Sequence, residues 1–204
     1  MTTDPQNTHD ITPPLRTTLD TLYDLGQHIW EEFDRDVRQQ NWHPFVNANY
    51  TTVERALLPF RSAGRRFLEW GSATGVITIM ADLLGFEAYG IELDASLVDI
   101  ACNLAERFKS HARFANGSFL PAGYTYRSPT GDSRLGTIGE GPSGYCALGR
   151  QLEDFDIVFG YPWSGEEPIM LDVMKQYGSR DAHLLLLTGR GIQVYRDGKL
   201  TRRR

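Results

Sequence analysis

Phe67–Asp94, FLEWGSATGVITIMADLLGFEAYGIELD, carries the clearest pattern in the chain. Arg66–Trp70 is a short apolar run, read as a first strand buried on both faces. Gly71-Ser72-Ala73-Thr74-Gly75 follows as a tight turn. Gly71 lets the backbone reverse at the strand end, and Gly75 lets the next helix begin close to the strand. Val76–Leu84 reads as that helix, with Gly85 as its C-terminal stop. Ala88–Leu93 is a second strand that ends on an acid, Glu92. Strand, turn, helix and strand read as a βαβ unit of the kind that builds α/β sheets.

The turn predicts a ligand. A helix that starts there offers unpaired backbone N–H groups and the positive end of its dipole. Glu92, at the end of strand two, faces the same crevice and can accept both hydroxyl hydrogens of a ribose. The stretch therefore points to a nucleoside-containing cofactor. A dinucleotide fingerprint needs G-x-G-x-x-G. Here the row is acid-x-G-x-A-x-G, made of Glu69, Gly71, Ala73 and Gly75, with Val76 where the last dinucleotide glycine belongs.

This row resembles motif I of the class I S-adenosylmethionine (SAM) dependent methyltransferases, and GIELD resembles their second acidic motif. Ala73 departs from the family, which usually has glycine there. A carboxylate at Glu69 suits a cofactor with an ammonium group. The resemblance implies a Rossmann-like three-layer sandwich, α/β, mostly parallel with strand order 3-2-1-4-5; the family usually adds an antiparallel strand pair after strand five, but the short C-terminal part here has room for one antiparallel edge strand, Ile192–Arg196. It implies SAM as cofactor and S-adenosylhomocysteine as product. Glu69 and the turn residues Gly71, Ser72, Ala73 and Gly75 would hold the amino-acid end, and Glu92 the ribose. Leu93 and Phe119 would flank the adenine, with Ser118 at the end of strand three, where the family often has an acid for the adenine amino group. Tyr50 stands where the family often has an aromatic that touches the cofactor, just before motif I.

Leu152–Trp163, LEDFDIVFGYPW, is the second informative stretch. Asp156–Phe159 reads as a fourth, buried strand, and Gly160-Tyr161-Pro162-Trp163 lies at its C-terminal end, where open α/β sheets bind ligands. The row resembles motif IV of the same family. The branch that methylates planar nitrogens has Asn/Asp-Pro-Pro-aromatic there. This chain lacks that polar acceptor, which counts against adenine or glutamine N-methylation. Tyr161 and Trp163 are expected near the sulfonium, with Tyr161, Glu166 and Glu167 as candidates for steering or deprotonating the acceptor. The two acids also suit the first turn of a helix over Ile169–Tyr177.

The other segments frame this unit. Met1–Pro14 reads as a disordered tail and 15–62 as a helical extension. Leu15–Gln40 is an amphipathic helix, bent or split near Gly26, and Pro44 in NWHPFVNAN breaks it. His28, Glu31 and Glu32 have helical spacing but form a solvated charged face rather than a metal motif. Thr51 to Glu54 is a capping box that opens a helix through Phe60. Residues 63–204 form the cofactor-binding domain. In it, Ala95–Phe108 is a helix, His111–Phe114 a third strand and HLLLLTG a fifth. Ile192–Arg196 is the edge strand, and Leu200–Arg204 a solvated tail. Leu120–Gln151, rich in glycine and proline, is an irregular insert that forms either a flap or a surface loop, with room for a short helix near Gly144–Arg150.

Composition narrows the class. With 204 residues, 41% apolar and 23% charged, the chain suits one soluble domain. No apolar run reaches the ~20 residues of a membrane span, and no secretion signal opens the sequence. Cys102 and Cys146 fit no metal or redox spacing, so the expected setting is a reducing cytoplasm. The acceptor stays open among small molecule, protein side chain and nucleic acid; the net charge of -5 and the absence of a basic stripe disfavour nucleic acid. A SAM-dependent methyltransferase is the leading reading. A binding protein of the same fold without turnover is the alternative, favoured by Ala73, the missing motif IV acceptor and the short C-terminal part. An NAD-type oxidoreductase is disfavoured by the glycine spacing.

Overall fold

The computed structural model describes residues 11–40, 43, 45–125, 138–139, 141–163 and 165–203. Of the expected tail Met1–Pro14, residues 1–10 lie outside the described residues, as do the break at Pro44 and the middle of the insert, 126–137; Pro13 and Pro14 already belong to the first helix. Seven strands form one sheet in the order β3-β2-β1-β4-β5-β6-β7. They are β1 (Arg66–Trp70), β2 (Glu87–Glu92), β3 (Arg113–Asn116), β4 (Ile157–Gly160), β5 (His183–Thr188), β6 (Gly191–Arg196) and β7 (Lys199–Arg203). The first five are parallel, and β6 and β7 return antiparallel. The strand order switches direction between β1 and β4, which is where such sheets open a crevice. Trp70 pairs with Ile91 of β2 on one side and Gly160 of β4 on the other, so the three strand ends lie level.

Alternation along the strands sends side chains to two apolar layers. Phe67, Ala88, Phe159 and Leu185 pack under α1 (Pro13–Phe33), α2 (Tyr50–Leu57), α3 (Val76–Leu83) and α4 (Ala95–Arg107). Leu68, Trp70, Val158 and Leu186 pack under α5 (Gly144–Leu148) and α6 (Glu167–Tyr177). Gly75 has φ +77°, and a Cβ there would meet Phe114 Cζ at 2.6 Å and Ala101 Cβ at 2.8 Å. Its bare backbone lets the start of α3 sit against β3 and α4.

Several expectations change. α1 runs unbroken through Gly26 and continues as a π-helical turn over Asp34–Arg38. Gly26 serves close approach, because a Cβ there would lie 2.6 Å from Val76 Cγ2 on α3. α2 is capped by Asn49, whose side chain accepts the Thr52 N–H at 2.9 Å, rather than by a box on Thr51. Glu54 instead turns inward, where it accepts both guanidinium N–H groups of Arg16 at 2.8 Å and the Tyr23 hydroxyl at 2.8 Å. It ties α1 to α2. β3 begins two residues later than expected. The arginine-rich tail is not a solvated coil but the edge strand β7, joined to β6 by a turn at Asp197-Gly198, both at positive φ.

Candidate cofactor site

A cavity of about 350 Å³ opens at the C-terminal ends of β1, β2 and β4. Its floor is the β1 turn. Glu69, on β1, projects toward the α3 layer and is 4% exposed. Thr78 of α3 donates its hydroxyl to Glu69 Oε2 at 2.5 Å. Burial pushes the Glu69 carboxyl up to about 8, aided by the charge of Glu92 and opposed by Thr78. Glu92 is also raised by burial, against backbone N–H groups that hold its charged form. Glu92 Oε2 accepts the Ala73 N–H at 2.8 Å and Oε1 the Asp94 N–H at 2.9 Å. Ala73 has φ +45° at this point, a conformation that costs a non-glycine residue about 1–2 kcal/mol. The loop therefore keeps the geometry of glycine at that position, with Glu92 as its brace.

One wall, at the ends of β2 and β3, holds Ile91, Leu93, Gly117 and Phe119. Phe119 stacks on Trp70 with centroids 4.8 Å apart, and Trp70 Nε1 donates to the Tyr145 hydroxyl of α5 at 2.8 Å. The insert thus returns to fix the ring that faces the cavity. The opposite wall is aromatic, with Phe159, Tyr161, Pro162 and Trp163 from the end of β4. Tyr161 is 36% exposed at the mouth.

Of the residues expected from sequence, Tyr50, Glu69, Gly71, Ser72, Ala73, Glu92, Leu93, Phe119, Tyr161 and Trp163 line this one cavity. Gly75, Ser118, Gly160 and Glu166 stand behind its wall. Ser118 bridges to Ser143, and its Oγ accepts the Leu120 N–H at 3.2 Å. Glu166 is fully buried, accepting the N–H of Trp163 at 2.8 Å and of Ile138 at 3.2 Å. It joins the end of the insert to the loop after β4. Glu167 accepts the Tyr195 hydroxyl at 2.7 Å.

Among solved structures, an RNA methyltransferase from Salinibacter ruber in complex with S-adenosyl-L-homocysteine is similar over 69% of this chain and 76% of its own, with 17% identity and a TM-score of 0.51. The chain has the class I SAM-dependent methyltransferase fold. A SAM-dependent methyltransferase from Thiobacillus denitrificans, also in complex with S-adenosyl-L-homocysteine, matches over 78% of this chain at 18% identity and a TM-score of 0.45; there the chain spans 54% of the neighbour's length. No family model matches the sequence, and no curated protein matches it.

On this methyltransferase fold, sequence reasoning missed one wall of the cavity. His43, Phe45, Val46, Asn47 and Ala48, in the connector between α1 and α2, all line it. Phe45 donates its N–H to His43 Nδ1 at 3.1 Å, so Nε2 carries the proton that faces Asp94 Oδ2 at 3.2 Å. His43 thereby pins the connector to the start of α4. The density of aromatic and polar residues in NWHPFVNAN was the available signal. Two side-chain oxygens at the cavity, Ser72 Oγ and Asn47 Oδ1, are buried and take no hydrogen bond among the described residues. Such groups call for a partner. Two acids, two unsatisfied oxygens and apolar flanks fit a ligand that combines an ammonium group, a ribose and a flat base. The described residues hold no cluster of three or more metal-ligating side chains, and no helix among them is long and apolar enough to cross a membrane.

Proposed function

We propose that this protein is a SAM-dependent methyltransferase. One observation carries the reading: Glu69 and Glu92, the acids of the two motifs, open into a single cavity whose far wall is the aromatic end of β4. SAM, when bound, supplies an already activated methyl group. The chain has then to align a nucleophile with it and exclude water. In this reading Glu69 accepts the ammonium group. Glu92 retains lone pairs beyond the two N–H groups that it already accepts, and takes the ribose hydroxyls. Leu93 and Phe119 flank the base, Phe119 being held flat by Trp70. Tyr161 and Trp163 face the acceptor side, where an aromatic ring favours a positive centre by about 0.5–2 kcal/mol. Glu166 acts through Trp163, whose backbone it holds, instead of as a base.

The aromatic lining and the net charge of -5 support a small molecule or a protein side chain as acceptor over nucleic acid. Calorimetry tests the cofactor. SAM and S-adenosylhomocysteine are expected to bind and NAD not to, and Glu92→Ala is expected to weaken both adenosyl ligands at least tenfold. If neither binds, the reading fails. The strained Ala73 and the missing polar residue at Gly160–Trp163 favour a second reading, a protein that holds SAM without turnover. Binding without transfer of labelled methyl to a broad panel of thiols, amines and proteins is the outcome that supports it.

A further inference from the structure

The described residues of the insert's return, 138–139 and 141–144, lie behind both sides of the cavity without lining it. On the base side, Gly139 sits against Leu93, where a Cβ would meet Leu93 Cδ1 at 2.4 Å. Its backbone is thus in contact with a side chain that faces the cavity. Farther along, the return is pinned. Ser118 donates its N–H to the Pro142 carbonyl at 2.8 Å, and Gly144 donates its own to the Ser118 carbonyl at 2.8 Å. Gly117 packs on the same Pro142 carbonyl, and a Cβ there would lie 2.6 Å from it. A push on Gly139 from Leu93 therefore has one soft direction, back toward Ile138.

Ile138 is 2% exposed, and its N–H donates to Glu166 Oε1 at 3.2 Å. A carboxylate has two acceptor oxygens at a fixed spacing. The other one, Oε2, accepts the Trp163 N–H at 2.8 Å, and the Trp163 carbonyl accepts the Glu166 N–H at 3.0 Å. Both backbone groups of Trp163 are therefore set by Glu166. The Glu166 carbonyl accepts the N–H groups of Ile169 and Met170 at 3.0 Å, which fixes its backbone to α6 and leaves the side chain as the part that can move. A buried N–H that loses its acceptor is costly, so Ile138, the Glu166 carboxylate and Trp163 move together.

We propose that Glu166 is a positioning residue that couples the base side of the cavity to Trp163 on the acceptor side, through Gly139 and Ile138. A base seated against Leu93 sets Gly139 and Ile138, and the Glu166 carboxylate carries that setting to the Trp163 backbone. Cofactor and acceptor then favour each other's binding, each by the same factor. This rests on the SAM reading above. It gives the insert, which belongs to neither motif, a part in shaping the acceptor wall.

Fluorine NMR of the full chain labelled with 5-fluorotryptophan tests it. The chain has four tryptophans, and Trp163→Phe identifies the Trp163 resonance. Adenosine is the probe, because it carries the base and ribose but neither the sulfur nor the amino-acid end. It is expected to shift the Trp163 resonance in wild type. Glu166→Gln keeps one acceptor oxygen where the carboxylate has two, so Ile138 and Trp163 are no longer held together. It is expected to remove most of that shift, with adenosine affinity within about threefold of wild type. Gly139→Ala adds the Cβ that meets Leu93. It is expected to displace the Trp163 resonance without ligand in wild type, and not when combined with Glu166→Gln. A merely structural Glu166 would leave both responses intact. The proposal is overturned, with the SAM reading standing, if Trp163 ignores adenosine or Gly139→Ala in wild type, or responds equally to them in Glu166→Gln. Should Gly139→Ala not fold, the adenosine comparison decides. Should S-adenosylhomocysteine bind but adenosine not, the Gly139→Ala comparison decides. Failure of wild type to bind either ligand overturns the SAM reading, and this proposal with it.

Discussion

Glu69 illustrates how burial sets chemistry at a single residue. Its folded value of about 8 lies far above the ~4.3 of a glutamate in an unfolded chain. Between those values the folded protein holds a proton that the unfolded chain has lost. Without ligand, this group's effect is most favourable below the unfolded value and fades as pH rises toward about 8. Each displaced unit is about 1.4 kcal/mol. Urea unfolding is expected to show stability falling from pH 5.5 to pH 8, and Glu69→Gln is expected to remove much of that slope. An ammonium ligand needs the ionised acid, so affinity should rise up to tenfold per pH unit until about pH 8. Near pH 7 binding should release about one proton, seen as a dependence of binding heat on buffer ionisation enthalpy and lost in Glu69→Gln. The placing of Glu69 and Glu92 in one cavity was legible in sequence because turn, helix and strand are contiguous there. Ser118 was not legible in the same way. β3 starts two residues late, so its last residue is Asn116, whose side chain donates to the Glu92 and Leu93 carbonyl oxygens at 3.1 and 2.8 Å.

At the level of elements, the site depends on how closely α1 approaches α3. Gly26 is the point of contact. Alanine in a helix interior ordinarily gains up to about 1 kcal/mol over glycine. Here its Cβ would lie 2.6 Å from Val76 Cγ2 and 3.1 Å from the Tyr50 hydroxyl, and a β-branched valine at the start of α3 has little room to turn. Overpacking should prevail, so Gly26→Ala is expected to lower stability by about 1–2 kcal/mol in chemical denaturation. It should also weaken S-adenosylhomocysteine, since Tyr50 must shift. The helices themselves follow from apolar periodicity and are readable. Their docking is not, because it rests on pairs such as Arg16 with Glu54 and His43 with Asp94 that are distant in sequence. The Thr51–Glu54 spacing matches a capping box, but Arg16 and Tyr23, more than thirty residues away, draw the Glu54 carboxylate inward instead.

Across the whole molecule, the antiparallel end of the sheet shows why a charged run misleads. Leu200–Arg204 reads as a solvated tail, yet most of it lies in β7 and pairs along β6. Edge strands are where charged side chains belong, because they discourage pairing with other chains. β6 behind it carries the buried Ile192, Val194 and Tyr195. Deleting 199–204 is expected to turn this apolar strand into an open edge, and light scattering should then report concentration-dependent association. The same strand order bears on how the chain assembles. β1 lies at the centre of the sheet, between β2, which soon follows it, and β4, where Phe67 meets Ile157. During synthesis β1 can take its first neighbour early, but its other edge stays open until about ninety residues later. Over that interval α1 and α2 have only half a surface to cover. The last sheet contact to close at the cavity is also the one that brings Tyr161 and Trp163, so the cavity is complete only once β4 is in place.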